Sequence, residues 1–223
     1  MSKAVQFFRD NGLTLVLMTV FFFCLFGMVW AGWLDKNATL ADHGANPVGL
    51  VDYFFSPSFQ SALFENWESE FLQMSAYVIM TAFLFQRGSA ESKDPDKDNP
   101  EDADPARKRR NKHAPWPVQA GGLWSFFYSY SLGIALLVLF AASFILHWLG
   151  SAAAANQEAA LHGQPPQTAL AYLADPRLWF ESFQNWQSEF LSTAVLIVLS
   201  IVLRHRGSPE SKPVADPHSK TGH

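Results

Sequence analysis

The residues best placed to do chemistry are two glutamates, Glu70 and Glu189, in the related segments NWESEFL and NWQSEFL. Each lies at the start of an apolar run, about one helical turn inside the boundary of a membrane span of about 20 residues. Two carboxylates that met in a low-dielectric site would share a proton or bind a cation. The alternative, which we favour, is that each carboxylate accepts hydrogen bonds from a neighbouring helix or reaches the membrane surface.

A polar stripe at helical spacing accompanies each glutamate. The first stripe comprises Asn66, Glu70, Gln73, Tyr77 and Thr81, and the second comprises Asn185, Glu189, Ser192 and Ser200, with Leu196 interrupting it. Ser69 and Ser188 precede the glutamates and complete the candidate set for ion binding or helix contact. Because Leu196 breaks the second stripe, the two halves are not equivalent, and transport is the second of our functional hypotheses.

Two histidines, His43 and His162, form another pair of titratable residues, and each is followed by glycine. With the two glutamates they would make a two-histidine, two-carboxylate set of the kind that suits zinc or iron. A His-Gly dipeptide in a loop is little support for a metal site. We therefore predict no metal and no other cofactor, and keep the two histidines only as minor candidate ligands.

Interfacial anchors are the favoured interpretation of two further pairs. Trp67 and Trp186 fall at the same membrane boundary and are typical of an aromatic belt, with ligand stacking as the alternative. Arg87 and Arg206 begin the segments RGSAESK and RGSPESK, which match at six of seven positions. These segments fit either a basic anchor followed by a glycine helix stop or a docking site for lipid or protein.

Several enzyme classes are excluded by what the sequence lacks. The single cysteine, Cys24, rules out an intramolecular disulfide and a CxxC site. No nucleophile–base pair, glycine-rich phosphate loop or HExxH helix is present. We therefore predict that the protein is not an enzyme.

The candidate residues come in pairs because the segment that carries them occurs twice. Residues 64–93 and 183–212 lie 119 positions apart and are identical at fourteen of thirty positions. Each copy has a polar-aromatic head, an apolar run and a basic-polar stop. Residues 126–149 match the first apolar run at the same offset, and the loops that contain the histidines do so too.

The composition indicates an integral membrane protein, since 49% of the residues are hydrophobic and only 16% are charged, against about 25% charged in soluble domains. We predict an all-α fold with four transmembrane helices, near residues 12–33, 66–85, 124–149 and 184–203. The first run is too long for a signal peptide and no cleavage site follows it. Each copy of the repeat contains two spans, which predicts a parallel tandem repeat with a pseudo-twofold axis along the membrane normal, arranged as a four-helix bundle.

The remaining segments set the domain boundaries and the orientation. The first repeat covers residues 1–93, a flexible charged linker covers 94–120, the second repeat covers 121–212, and a disordered tail covers 213–223. Only Lys36 and Arg177, of sixteen basic residues, fall in the two loops between paired spans, so both termini are predicted to be cytoplasmic. The basic run at 107–110 precedes a span, which favours contact with anionic lipid over nucleic acid.

The segments NWESEFL, NWQSEFL, RGSAESK and RGSPESK resemble an uncharacterised bacterial family of small membrane proteins, known as a domain of unknown function. The resemblance covers nearly the whole chain except the linker and the tail. It implies the bacterial inner membrane and brings no catalytic residues.

The expected function is that of a non-enzymatic scaffold or accessory subunit. Its partners would be the lipid bilayer and either another membrane protein or a second copy of itself, bound through the helical bundle, and no nucleic acid is expected. The alternative is a small transporter or channel that binds a proton or cation at Glu70 and Glu189.

Overall fold

The structure is a computed structural model that describes residues 2–222. This described part contains α-helices, two short 3-10 helices and no strand. The α-helices are α1 (Lys3–Asp42), α2 (Leu50–Phe54), α3 (Pro57–Thr81), α4 (Trp116–Ala120), α5 (Gly122–Ser129), α6 (Ser131–Leu161), α7 (Ala169–Tyr172) and α8 (Pro176–Val202). The 3-10 helices are Pro100–Asp102 and Pro105–Lys108. The predicted all-α fold is confirmed.

Three of the described helices, α1, α6 and α8, are long and apolar enough to cross a membrane. Helix α3 has 25 residues, which is a sufficient length. However, any stretch of α3 long enough to cross the hydrocarbon core contains Glu65, Glu68 and Glu70, and charged side chains are costly inside a bilayer. The membrane-protein class is thus supported by three helices, and the span predicted at 66–85 stays a prediction.

Helix α1 is longer than the span predicted at 12–33, because it begins at the Ser2 cap and continues to Asp42. It ends at the first His-Gly dipeptide, where Gly44 has a φ of +65°. Helix α6 ends at the second dipeptide, where Gly163 has the same φ. Glycine adopts this left-handed conformation without steric cost and so stops a helix. The His-Gly pairs are therefore helix ends.

Residues 94–120, predicted as a flexible linker, contain both 3-10 helices and α4. Ion pairs join this segment to the preceding stop: Arg87 contacts Asp96, and Lys93 contacts Asp102 at 2.6 Å. Residues 213–222, predicted as a disordered tail, fold back so that Gly222 N–H donates to the Ser89 carbonyl at 2.9 Å. Both segments thus use polar contacts in place of a hydrophobic core.

The chain divides into two compact units, and the first comprises the chain up to Leu63 together with Leu146–Leu173. In this unit the Asn37 side chain bonds both the carbonyl (3.1 Å) and the amide (2.8 Å) of Val48. The Asn156 side chain bonds the carbonyl and the amide of Gln167 in the same way, each at 2.9 Å. Each asparagine therefore ties the segment after its helix back onto that helix.

The second compact unit comprises Phe64–Ile145 and the chain from Ala174 onward. Here the first half of α6 meets α8 through ring pairs, with centroids 6.3 Å apart for Phe140–Trp186 and 6.0 Å for Phe144–Trp179. Gly133 of α6 approaches α3, since a Cβ at this position would lie 3.5 Å from Ile79 Cγ1. These contacts hold α3, α6 and α8 against one another within the unit.

Candidate functional site

The most buried charged group in the contact between α3 and α8 is Glu68, whose exposure is 0%. Its Oε1 atom accepts hydrogen bonds from Ser182 Oγ at 2.8 Å and from Trp186 Nε1 at 3.2 Å. Both donors belong to α8. A buried carboxylate is stable only when such donors satisfy it, so Glu68 fixes the position of α8 relative to α3.

A second glutamate of α3 extends this contact. Glu65 Oε1 accepts a hydrogen bond from Asn185 Nδ2 at 2.6 Å. We call Glu65, Glu68, Ser182, Asn185 and Trp186 the acidic cluster. In the other half of the chain, the residues equivalent to the two acids are Gln184 and Gln187. The acceptor carboxylates therefore lie on α3 alone and the donors on α8, which makes the contact asymmetric.

The two predicted glutamates lie outside the acidic cluster. Glu70 is exposed, and Glu189 is half-buried. The structure brings the two carboxylates within electrostatic range of each other. Ser192 and Thr193 bond the backbone carbonyl of Glu189, at 2.9 and 3.0 Å, and leave its carboxylate out of these contacts.

The smaller polar residues of the candidate set have different roles in the two halves. Ser69 Oγ donates to the Asn66 carbonyl at 2.8 Å, and Ser188 Oγ donates to the Asn185 carbonyl at 2.8 Å. Both serines thus bond within their own helix. Ser69 is buried and Ser188 is exposed. Asn185 uses its side chain in the acidic cluster.

The two tryptophans of the repeated head each pack on a phenylalanine three residues earlier. The ring centroids are 5.4 Å apart for Phe64–Trp67 and 5.3 Å for Phe183–Trp186, with nearly perpendicular rings in both pairs. Trp186 also donates its indole N–H to Glu68. It is therefore a structural donor to a buried acid, in addition to the interfacial position that we predict.

Two further polar contacts involve α3, one with α8 of the other half and one with the first stop segment. Gln73 Nε2 of α3 donates to Thr193 Oγ1 of α8 at 2.6 Å. Tyr77 Oη donates to Glu91 Oε2 at 3.0 Å. From Glu68 to Tyr77 the rise along α3 is about 14 Å, at about 1.5 Å per residue. Polar side chains are thus paired at successive levels of α3, rather than at one point.

The repeated stop segments meet beyond the end of α8, in a region that we call the tail cap. Lys212 is 1% exposed. Its ammonium group donates to the carbonyl oxygens of Gly88, His218 and Lys220. Ser89 Oγ lies 2.9 Å from Ser200 Oγ, and the Gly88 amide donates to Thr221 Oγ1 at 2.9 Å. Through these hydrogen bonds, Lys212 joins the first stop segment, the second stop segment and the tail.

The environment of Lys212 affects its charge. Burial and then the nearby charge of Arg204 lower the pKa of the Lys212 ammonium below its ordinary value. The equivalent lysine, Lys93, has other partners, since it bonds the Ala82 carbonyl at 2.9 Å and forms an ion pair with Asp102. The equivalent lysines therefore differ: Lys212 is buried and bonds backbone carbonyls, whereas Lys93 forms an ion pair.

The two arginine anchors also differ. Arg87 forms a two-point ion pair with Asp96, although both side chains are mostly exposed. Such a pair contributes little to stability because water screens it. Arg206 is exposed. Its position is compatible with contact to lipid headgroups, whereas the Arg87 charge is already engaged by Asp96.

The two histidines do meet, although they end different helices. The ring centroids of His43 and His162 are 5.8 Å apart in an edge-to-face arrangement. His43 Nδ1 lies 2.8 Å from the Thr39 carbonyl, so this atom is engaged in the end of its own helix. The histidines belong to the first unit, whereas Glu70 and Glu189 belong to the second. The four-residue metal set remains a hypothesis.

Sequence reasoning missed the residues that the structure places at the centre of the second unit. Glu65 precedes the head segment NWESEFL and Glu68 lies within it, but glutamines replace both in the second copy, so the repeat indicates the shared pair Glu70 and Glu189 instead. The sequence signal for Glu65 and Glu68 is this replacement of acid by amide between the two copies. Lys212 ends the repeated stop segment RGSPESK, and nothing in its local sequence indicates burial.

The chain belongs by structure to the class of helical proteins with membrane-length apolar helices. A protein-family model described as a domain of unknown function, DUF6766, matches residues 4–223, and the chain is a member of that family. This match bears out the predicted resemblance to an uncharacterised family. Neither a comparison with curated proteins nor one with solved structures found a match.

Proposed function

We propose that this protein is a non-enzymatic, four-span membrane protein of the bacterial inner membrane that assembles laterally through α1. The observation that carries the proposal is that no residue in the most apolar window of α1 is buried within the chain. A helix of this kind faces either lipid or another membrane helix. The partner would be a second copy of the chain or the helix of another subunit.

One face of α1 suits close approach of a second helix. Cys24, Gly27 and Ala31 follow one another at helical spacing and are all exposed. Nothing lies within 4 Å of the position that a Cβ at Gly27 would occupy. Because small residues let helix backbones approach closely in a bilayer, this face is a suitable surface for association.

The remaining parts of the proposal rest on the repeated contacts. The asparagine bridges at 37 and 156 and the Phe–Trp pairs at 64 and 183 recur at the offset of 119, which supports a tandem repeat of a two-helix unit. The acidic cluster directs Glu65 and Glu68 towards α8, which supports α3 as a fourth span. The distribution of basic residues supports cytoplasmic termini and a cytoplasmic linker.

The test uses Cys24, which is the only cysteine of the chain and is exposed. Mild oxidation of native membranes with copper phenanthroline should join two chains through Cys24. The matched control is F22C in a C24S background, which moves the cysteine to the opposite side of α1. Membrane-permeant bismaleimide detects a heterologous partner with a cysteine nearby. Absence of every cross-linked product at position 24, or equal products at positions 22 and 24, would contradict assembly through this face.

A second candidate function is proton or cation transport along α3 and α8. Glu70 and Glu189 lie within electrostatic range, and Gln73 bonds Thr193 at a deeper level. The test is a pH-sensitive dye enclosed in proteoliposomes, with E70Q and E189Q as variants. Flux that both variants abolish would favour transport, and flux equal to that of empty liposomes would exclude it.

A further inference from the structure

The segment before α6 carries a surface that the assembly proposal does not use. Arg107, Lys108, Arg110 and Lys112 are exposed, and we call them the basic surface. Within residues 2–222, none of these four side chains forms a hydrogen bond or an ion pair with the protein. From Pro105 to Gln157 the sequence contains no acidic residue.

The other basic residues nearby are used differently. Arg87 and Lys97 form ion pairs with Asp96 and Asp94. Arg109, in the middle of the basic run, points to the end of α4, where it donates to the carbonyls of Gln119 (3.3 Å) and Ala120 (3.0 Å). Arg109 thus positions α4 beside the basic surface, and its four neighbours keep their charge available.

An exposed aromatic surface adjoins these charges. The rings of Trp116 and Trp124 pack together with centroids 5.3 Å apart. Both tryptophans remain more than 60% exposed, and Leu123 is 75% exposed. Phe127 of α5 is also exposed, and the membrane-length helix α6 begins at Ser131, directly after α5. Apolar side chains with indole N–H groups are stable at the level of the lipid headgroups.

We propose that the basic surface and the Trp116–Trp124 pair together form a docking site for anionic phospholipid headgroups. The charge complementarity identifies the ligand: four free cations lie beside an apolar aromatic patch, next to the start of a membrane-length helix. Each basic residue near an anionic membrane surface raises binding about fivefold. By binding headgroups, the site anchors the linker to the surface of the bilayer. This inference rests on the membrane insertion assumed in the proposed function.

The test uses the full chain in nanodiscs, whose formation itself reports membrane insertion. An environment-sensitive fluorophore is attached at H113C in a C24S background, because His113 is exposed beside the basic surface. In discs that contain phosphatidylglycerol the probe should show a blue-shifted emission that is absent in discs of phosphatidylcholine alone. Rising salt should reverse the shift, since the charges are at the surface.

Matched double variants make the test specific. R107Q/K108Q should lower the apparent affinity for phosphatidylglycerol at least tenfold. R87Q/K97Q removes the same number of positive charges, but from residues that are already in ion pairs, and should leave the affinity for phosphatidylglycerol unchanged. Equal effects of the two variants, or no difference between the two lipids, would overturn the proposal. Inorganic phosphate should not compete. If a fluorescent RNA binds instead and R107Q/K108Q abolishes only that binding, the surface recognises nucleic acid and the proposal is wrong.

Discussion

The ammonium group of Lys212 donates a hydrogen bond to the carbonyl oxygen of Gly88, a residue 124 positions earlier in the chain. The two residues belong to the two copies of the stop segment. This bond joins the end of the second copy to the beginning of the first stop. The tail then closes over both segments. Thr221 Oγ1 accepts a hydrogen bond from the Gly88 amide, and the Gly222 amide donates to the Ser89 carbonyl.

Substitution of Lys212 by Met should release the tail. The methionine fills a similar volume but leaves the carbonyl groups of Gly88, His218 and Lys220, of which that of Gly88 is buried, without this donor, at a cost of about 1–3 kcal/mol in the docking free energy. Hydrogen–deuterium exchange of the Gly88 and Gly222 amides should accelerate accordingly. K93M is the matched control, because Lys93 forms an ion pair with Asp102 instead, and it should leave both amides protected. Unchanged protection in K212M would contradict the tail cap.

Tail docking should also strengthen as the pH rises. Burial lowers the pKa of Lys212 in the docked state, so the released tail holds the lysine proton more tightly than the docked tail does. Docking is therefore weakest below the folded-state pKa and gains stability as the pH rises from there towards the ordinary value of 10.5. A nitroxide at S219C in a C24S background reports docking as an immobile spectral component. That component should grow with pH in the parent and stay constant in K212M, and a decrease with pH would contradict the prediction.

Removal of the Glu68 carboxylate should destabilise the contact between α3 and α8. E68A leaves the Ser182 hydroxyl and the Trp186 indole without their shared acceptor, which should lower the free energy of unfolding by about 1–3 kcal/mol. E68Q keeps an acceptor oxygen and should cost less. Thermal unfolding in detergent, followed by tryptophan fluorescence, measures the loss.

The control for this series is E70A, because Glu70 is exposed. Its effect should lie within about 0.5 kcal/mol of the parent, as for most exposed positions. If E70A and E68A destabilised the protein equally, the burial of Glu68 would not carry the stability that we assign to it.

The two asparagine bridges should contribute equally if the halves share their architecture. N37A and N156A each remove two hydrogen bonds to the backbone of the following segment. Each should reduce stability by about 1–3 kcal/mol, and their effects should be similar. Equilibrium unfolding in a mild detergent compares them. A large loss in one variant and none in the other would show that the copies have diverged in structure.

The sequence predicted the helical class and the three membrane-length helices of the described chain, because a long apolar run determines both the helix and its ability to cross a membrane. It predicted Glu70 and Glu189 as the carboxylates of interest, whereas in the structure it is Glu68 that accepts hydrogen bonds from α8 and Glu70 is exposed. The difference lies in the rotation of α3, which decides whether position 68 or 70 faces α8. Two residues along a helix point in directions about 200° apart. The pattern of one sequence does not show which of them faces the neighbouring helix.

The linker and the tail show a second limit of sequence reasoning. Their composition is poor in apolar residues and is typical of disorder, yet Lys212 and Arg109 each satisfy carbonyl groups far along the chain or at a helix end. These contacts depend on backbone carbonyls, which every residue has. They therefore leave no pattern in the sequence, and only the folded chain shows them.

The most direct test of the central claim is the mass of the particle that polymer discs extract from native membranes without detergent. Assembly through α1 predicts a particle that contains two copies of the chain, or one copy with a second protein in fixed ratio. G27I should convert it to a single chain, because a bulky side chain at Gly27 blocks close helix approach. A particle that contains one chain alone in the parent protein would contradict the account.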